Sequence, residues 1–428
     1  MGKKKIIKRR ALLLILIFVL IVAAIFFGIA EIQKYFRSDV ENSGQVAENS
    51  NQQEAVTQEV KPKDTTINMS VIGDIMCHNT NYNDAYNSDT DTYDFSYVFQ
   101  DIAKYFENDD ITIGNLETTL AGKEIGYSSY PTFNTPEILA TDLKELGLDV
   151  LATANNHSLD KGYVGIENTI SELDKVGISH TGTYNSQESS NQYLVKDVNG
   201  INIAFLNYTY GTNGIPVPSG REYCINLIDQ TKIQNDLNNV KAMENVDLIC
   251  VIMHWGTEYR LTATDEQEEL ADFMFQNGAD IILGGHSHCL EPMEKRTITL
   301  EDGTTKEGFI VYSLGNFMSG QNKSYTRQSV ILQLQITKNG ETGNITIDKV
   351  EYVPIYMYNY SSPKGAHNFK ILDIESEIAK YESGDTSIGS SLYSTLKTEL
   401  TQVQEILGPE IITEIPENIN ENSNEIIN

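Results

Sequence analysis

Between residues 67 and 317 the chain breaks off an apolar run six times, and each time a cluster rich in Gly, Asp, Glu, Asn or His follows at once. The runs cover 67–72, 111–113, 150–154, 248–253, 281–283 and 309–312. Runs this short and this rich in Ile, Val and Leu read as buried strands. The clusters after them are Gly73-Asp74-Ile75-Met76, Asn115-Leu116-Glu117, Asn155-Asn156-His157, His254-Trp255-Gly256, Gly284-Gly285-His286-Ser287-His288 and Ser313-Leu314-Gly315-Asn316-Phe317. In an open α/β sheet, ligands bind beyond the carboxyl ends of the strands. Chemistry-bearing residues repeated at that one position predict a single shared site, and an enzyme is the leading reading.

The residue types at these ends suit a metal. Carboxylate oxygens favour hard divalent cations, and imidazole favours zinc, iron, manganese and similar ions. Asp74, Glu117, Asn156, His254, His286 and His288 offer both kinds of donor. His286 and His288 lie two apart behind two glycines, so a tight loop can turn both rings to one centre. Around them the reading stays open. His78 is a weak ligand, a substrate contact or a surface histidine. Asn155 and Asn316 either position substrate or satisfy loop backbone. Tyr259 and Arg260 follow His254 on one loop, where Arg260 would grip a phosphate or carboxylate bidentately or form a surface ion pair. Trp255, the one tryptophan, reads as packing beside the site.

Six Lys or Arg and no acid occupy the first ten residues, and residues 11–30 carry no charge. Twenty such residues span a hydrocarbon core of about 30 Å. With the basic flank inside, residues 1–10 are expected in the cytoplasm, 11–30 as a single transmembrane anchor, and the rest outside the cell membrane. A cleaved signal peptide, with Gly28-Ile29-Ala30 at its end, is the rival, although its apolar region is usually only about 7–15 residues long. Residues 31–64 read as a flexible stalk. The formal net charge is −29, and with the basic N-terminus set aside the remainder carries −35. Bulk charge therefore speaks against nucleic acid, while an anionic substrate held through metal ions stays open. Four cysteines are too few for a disulfide scaffold. Cys250 reads as a buried thiol, and Cys77 and Cys289 as bystanders.

From residue 65 strands and helices alternate. Thr135-Pro136 predicts a helix over 137–146 stopped by Gly147, and a second helix over 167–176 is stopped by Gly177. Asp229 caps a polar helix, and Thr264 with Gln267 forms a capping box. Asn199-Gly200, between apolar runs 193–198 and 203–208, predicts a hairpin. Another hairpin joins 329–337 to 345–352. Hairpins within a βα-alternating chain mean a mixed sheet or two sheets. Beyond 358 a helical extension, with helices near 371–381 and 392–406, ends in a disordered tail from about residue 416.

The six clusters, taken in order, resemble those of the CapA family of capsule and poly-γ-glutamate biosynthesis proteins, which belongs to the calcineurin-like metallophosphatase superfamily. The matching residues are Gly73-Asp74-Ile75-Met76, Gly114-Asn115-Leu116-Glu117, residues 154–162, His254-Trp255-Gly256-Thr257-Glu258-Tyr259, Gly285-His286-Ser287-His288 and residues 312–317. The resemblance implies an α/β fold over residues 65–358, with two facing mixed β-sheets flanked by helices, an αββα sandwich preceded by the transmembrane helix. It implies one or two divalent ions (Mn, Zn or Fe) held by Asp74, Glu117, Asn156, His254, His286 and His288. His157 becomes the proton donor; on the reading of the residues themselves, His78, Asn155, Tyr259, Arg260 and Asn316 are the candidate substrate contacts. Two positions depart from the superfamily pattern. Met76 stands where Asp-x-His would place a histidine, and Glu117 stands where the bridging ligand is an Asp, so the number of ions stays open. The expected function is a membrane-anchored hydrolase in surface-polymer synthesis, acting on an anionic polymer or a phosphoester. A non-catalytic factor that binds polymer or a membrane synthase is the alternative.

Overall fold

Strands that are apolar on both faces need cover on both faces, and in the computed structural model, which describes residues 62–300, 303–360 and 368–412, each sheet has it. The larger sheet runs β16 (Phe369–Asp373), β15 (Ile345–Asn359), β14 (Gln328–Lys338), β1 (Thr65–Ile75), β4 (Ile111–Leu116), β5 (Val150–Ala152), β6 (Ser179–Thr181). β13 (Asn316–Met318) joins it on β1, and β17 (Ile411–Ile412) on β15. The second sheet runs β11 (Leu290–Thr299), β12 (Thr305–Leu314), β10 (Ile281–Gly285), β9 (Leu248–His254), β8 (Ile201–Thr209), β7 (Leu194–Val198). A small separate hairpin pairs β2 (Tyr86–Asn87) with β3 (Thr92–Tyr93).

Side chains alternate across a strand, and here the alternation divides the interior into layers. Ile67, Met69 and Val71 of β1 meet Ile203 and Phe205 of β8, Cys250 and Ile252 of β9, and Ile281 and Leu283 of β10 in one core between the sheets. Ala204, Leu206, Ile249, Val251 and Ile282 face outward, against the helices Gln230–Lys241 and Asp265–Gln276. Leu151, Ile331 and Ile355 on the far face of the larger sheet pack on Phe99, Leu139 and Leu143. Two facing mixed sheets flanked by helices are thus present. The predicted membrane span over 11–30 lies outside the described residues, as do the stalk as far as residue 61 and the tail from 413. Among the described residues no helix is long and apolar enough to cross a membrane.

The Asp229 cap and the Thr264–Gln267 capping box form as expected. At Thr135 the structure differs. Its hydroxyl is bonded to that of Thr118 at 2.7 Å, so Thr135 caps nothing and the helix begins at Ile138. The helix expected near 371 begins at Ile374, because Phe369–Asp373 pairs with β15 as the outermost strand. Leu396, Val403 and Leu407 of the following helix are buried. All four cysteines are free and buried. Trp255 is buried and donates its indole N–H to the carbonyl of Tyr312 at 3.0 Å.

β1, β4 and β5 run parallel, and so do β8, β9, β10 and β12, so their carboxyl ends gather together. Glycine allows the close approach there. A Cβ on Gly284 would lie 1.8 Å from the Tyr312 carbonyl oxygen and 2.8 Å from the Trp255 indole nitrogen. Backbone cannot yield as a flexible side chain can. Gly284→Ala should therefore lower unfolding free energy by about 3 kcal/mol, the upper part of the usual overpacking cost, seen as a lower denaturant midpoint. An unchanged midpoint would mean that the two strands separate freely at this point.

Candidate metal centre

Two carboxylates with no solvent exposure anchor the site: Asp74 near the end of β1 and Glu117 just after β4. Asp74 Oδ1 accepts from Asn115 Nδ2 at 2.7 Å, and Oδ2 accepts from the His286 backbone N–H at 3.0 Å. Among the described residues neither oxygen of Glu117 has a hydrogen-bond partner. Burial, and then the charge of Glu117, pushes Asp74 up to about 7; burial pushes Glu117 up to about 8. A buried carboxylate without donors is costly, and a cation is the natural counter-charge.

His254 ends β9, and His286 and His288 occupy the loop after β10. Burial above all pulls their pKa values down to about 4, 2 and 3 respectively. They are neutral imidazoles near pH 7, the form that ligates metal. His286 and His288 take positive φ values of 96° and 59°, a strained conformation for residues other than glycine, and such strain clusters at functional sites. A Cβ on Gly285 would lie 2.5 Å from Asp74 Oδ1, so the loop can pass this close only as glycine.

Two groups of potential ligands result, Glu117–His254–His286 and Asp74–Glu117–His288, with ligand atoms all within 4.8 Å of one another in each. Glu117 belongs to both. Its Oε1 is 3.5 Å from His254 Nε2 and its Oε2 is 3.9 Å from His288 Nδ1. Asn156 Oδ1 joins the first group, 3.0 Å from His254 Nε2. The orphaned Glu117 oxygens, the unpartnered Nδ1 of His286 and the mixed oxygen and nitrogen donors together fit divalent metal.

His157 stands beside these groups and belongs to neither. Its Nδ1 is 2.7 Å from Asp160 Oδ2, and Phe133 packs edge-on at 4.7 Å between ring centres. Burial lowers the His157 pKa, but the Asp160 hydrogen bond and the charge of Glu117 outweigh it, leaving the pKa above the usual value. Asn155 is turned inward, donating to the Leu116 carbonyl at 2.7 Å and accepting from the His157 N–H at 3.1 Å. Asn316 is buried, with Oδ1 3.1 Å from His288 Nδ1. Tyr259 lies over His288, ring centres 5.9 Å apart, and carries Lys323 Nζ 3.4 Å above its own ring. Arg260 is exposed on the same loop, donating to Thr262 at 3.5 Å. His78 is not brought into either group. Phe133 sits between it and His157, and its Nδ1 accepts from the Gly320 N–H at 3.1 Å.

Sequence reasoning passed over Asn115, Asp160, Tyr210 and Asn213. Asn115 Nδ2 donates to Asp74 and also approaches His254 Nδ1 at 3.3 Å. Tyr210, after β8, lies 4.4 Å from His286 between ring centres and is 47% exposed, so it forms part of the mouth. Asn213 Oδ1 accepts from Asn156 Nδ2 at 3.3 Å, and its Nδ2 reaches His157 Nε2 at 3.5 Å.

The model of one protein family, described as bacterial capsule synthesis protein PGA_cap, matches residues 68–321, a span that begins in β1 and contains every residue of the two ligand groups. The chain belongs to that family. Similar PGA biosynthesis and capsule proteins include CapA of Bacillus subtilis, 31% identical over 273 residues, which covers 59% of this chain and 64% of that protein. CapA of Bacillus anthracis is 28% identical across 67% of this chain and 68% of its own length. A solved phosphatase from Mycoplasma pneumoniae aligns over 68% of this chain and 94% of its own, with a TM-score of 0.39 and 15% identity.

Metal uptake by this PGA_cap domain should depend steeply on pH between about 6.5 and 8. In that window His254, His286 and His288 are already neutral, so they add no slope. Asp74 and Glu117, raised to about 7 and about 8, still hold protons that metal must displace. Affinity for Mn²⁺ should rise with pH by up to about tenfold per unit for each proton displaced, then level off. Calorimetric titration in buffers of different ionisation enthalpy would count those protons. A flat affinity with no proton release would remove the carboxylates from the ligand set.

Proposed function

We propose that this protein is a membrane-anchored, extracytoplasmic metal-dependent hydrolase that acts in making or handling an anionic capsule polymer, poly-γ-glutamate or a related one. The observation that carries the reading is Glu117, a buried carboxylate with both oxygens free that belongs to two ligand groups at once. Asp74, Glu117 and His288 would hold one ion; Glu117, Asn156, His254 and His286 would hold a second. Manganese, zinc and iron all suit mixed carboxylate and imidazole donors. Divalent ions bound there supply Lewis acidity to a phosphoryl or carbonyl oxygen and lower the pKa of water.

The chain's own residues do the rest. Asp160 holds His157 by Nδ1, which leaves Nε2 as the atom that can carry a proton to a leaving group, as general acid chemistry requires. Asn213 Nδ2 lies 3.5 Å from that same Nε2, where its N–H can donate once the proton has left, and its Oδ1 accepts from Asn156, which links His157 to one ligand group. Tyr210 and Tyr259 flank the mouth, and the exposed Lys323 and Arg260 add positive charge beside Tyr259 on an otherwise acidic chain. An anionic segment would meet favourable charge there. The apolar run at 11–30 supports the membrane and extracytoplasmic parts of the proposal. The names of the Bacillus relatives, a PGA biosynthesis protein and a capsule biosynthesis protein, support the polymer part of the proposal.

The test is turnover by the manganese- or zinc-loaded protein on phosphomonoesters, phosphodiesters and γ-glutamyl oligomers. Hydrolysis of any one class, abolished in His157→Ala while bound metal is retained, supports the reading and names the substrate class. No turnover on any class, together with a His157→Ala strain that still makes normal polymer, would favour a binding or assembly role.

A further inference from the structure

We infer that Asn316 is itself a metal ligand, its Oδ1 completing the group formed by Asp74, Glu117 and His288. The inference rests on the metal reading above and concerns which atoms surround one of its ions.

β13 runs parallel beside β1 with Asn316 in register with Asp74, and on the other side of β1 Asp74 is in register with Asn115. One buried carboxylate thus lies between two buried asparagines, and the two are turned in opposite senses. Asn115 offers its NH₂ group to the site, donating to Asp74 Oδ1 at 2.7 Å. The Asn316 NH₂ group is committed elsewhere, donating to the Thr326 carbonyl at 3.0 Å and to Gln321 Oε1 at 3.3 Å. An amide whose two N–H groups are both used this way has its oxygen fixed on the other side. That oxygen faces His288 Nδ1 at 3.1 Å.

His288 Nδ1 is also the ring atom that faces the two carboxylates, 3.8 Å from Asp74 Oδ2 and 3.9 Å from Glu117 Oε2. If it carries a proton it can donate to Asn316, but it cannot ligate. If it ligates it is bare, and then two lone-pair donors face each other at 3.1 Å with no proton between them. A shared cation removes that conflict. Neighbouring ligands of an octahedral ion about 2.1 Å away lie about 3 Å apart, which agrees with the observed separation. The other ligand group shows the same pairing, with Asn156 Oδ1 3.0 Å from His254 Nε2. Each group would then hold its ion through the shared Glu117, at least one imidazole and one amide oxygen.

The experiment strips the full chain of metal with a chelator, restores Mn²⁺, and measures ions per chain by mass spectrometry and affinity by calorimetry. Asn316→Ala should keep the ion of the His254 group and lose or weaken the other at least about tenfold. The paramagnetic resonance signal of a coupled manganese pair should change to that of an isolated ion. His286→Ala should spare the site that Asn316→Ala loses. Unchanged stoichiometry and affinity in Asn316→Ala would overturn the ligand role of Asn316 and leave the metal reading standing. A wild-type chain that takes up no metal would overturn both. Should Asn316→Ala fail to fold, anomalous diffraction from manganese-loaded wild-type crystals decides the matter. An ion within about 2.3 Å of Asn316 Oδ1 supports the assignment, and one beyond about 3 Å overturns it.

Discussion

Replacing Glu117 with glutamine should strip both ligand groups of metal at once and, with metal absent, make the folded chain harder to unfold. Metal loss follows from membership: Glu117 is the residue the two groups share. Partners that only orient a ligand already cost about 10–100-fold in affinity when removed, so a shared ligand should cost at least about 100-fold at each position. The gain in stability follows from burial. Glu117 is pushed up to about 8 from an ordinary value of 4.5, so the folded state keeps a proton that the unfolded state gives up. Its contribution to stability is complete below the unfolded value and is lost as pH rises through about 8. One pKa unit corresponds to about 1.4 kcal/mol, which puts the burden near pH 7 at about 3 kcal/mol. Glutamine has no charge to desolvate but still buries an amide, so a gain of about 1–3 kcal/mol is expected. Denaturation with chelator at pH 5 and pH 8 would show wild type losing more stability than Glu117→Gln across that interval. A variant that still holds two ions with wild-type affinity would refute the shared-ligand geometry.

His157→Ala should lower turnover by about 10²–10⁴-fold, the usual contribution of a positioned general acid, with metal content unchanged. Asp160→Asn should act through His157. The Asp160 hydrogen bond, then the charge of Glu117 and the charge of Asp160 itself, lift the His157 pKa against the effect of burial. A general acid must be protonated, so activity falls as pH rises through its pKa. Without the Asp160 carboxylate that fall should begin at lower pH, and turnover should drop even at the optimum. The diagnostic result is the shifted limb, because simple damage to the fold would lower the whole profile without moving it. An unshifted profile with normal turnover would take the His157–Asp160 pair out of the chemistry.

Much of this centre was legible because the strands that position it are covered on both faces. Continuous apolar runs such as 248–253 could then be read directly, and the polar residue that ended each run marked the sheet edge. Asp74, Glu117, His254, His286 and His288 were visible for that reason, and the structure brings them within reach of one another. Asn115 was hidden by register. Only its pairing opposite Asp74 shows that its side chain faces the site while that of Leu116 does not. Asp160 lies within the motif over residues 154–162, but its role depends on a turn that brings residues three apart into contact. The run ending at Thr209 is followed by Tyr210-Gly211-Thr212-Asn213-Gly214, a seventh apolar run with a polar cluster after it. That cluster carries no charge and no histidine, so it did not register as chemistry. His78 was legible only as a histidine close to a motif, and the fold places it outside both ligand groups with its Nδ1 accepting from the Gly320 N–H.

The ligand atoms come from both sheets, and along the chain the residues of the two groups extend from Asp74 to His288. No fragment that emerges early in synthesis contains a whole group, and neither sheet alone brings Glu117 to the histidines. A binding pocket therefore comes into being only when the two sheets have come together. Affinities of such donor sets for first-row metals follow a common order, and which ion is taken up depends strongly on which ions are at hand. The occupant would then be decided by the place where the two sheets close, and an identical sequence refolded in a different ionic setting could emerge with a different ion and a different rate.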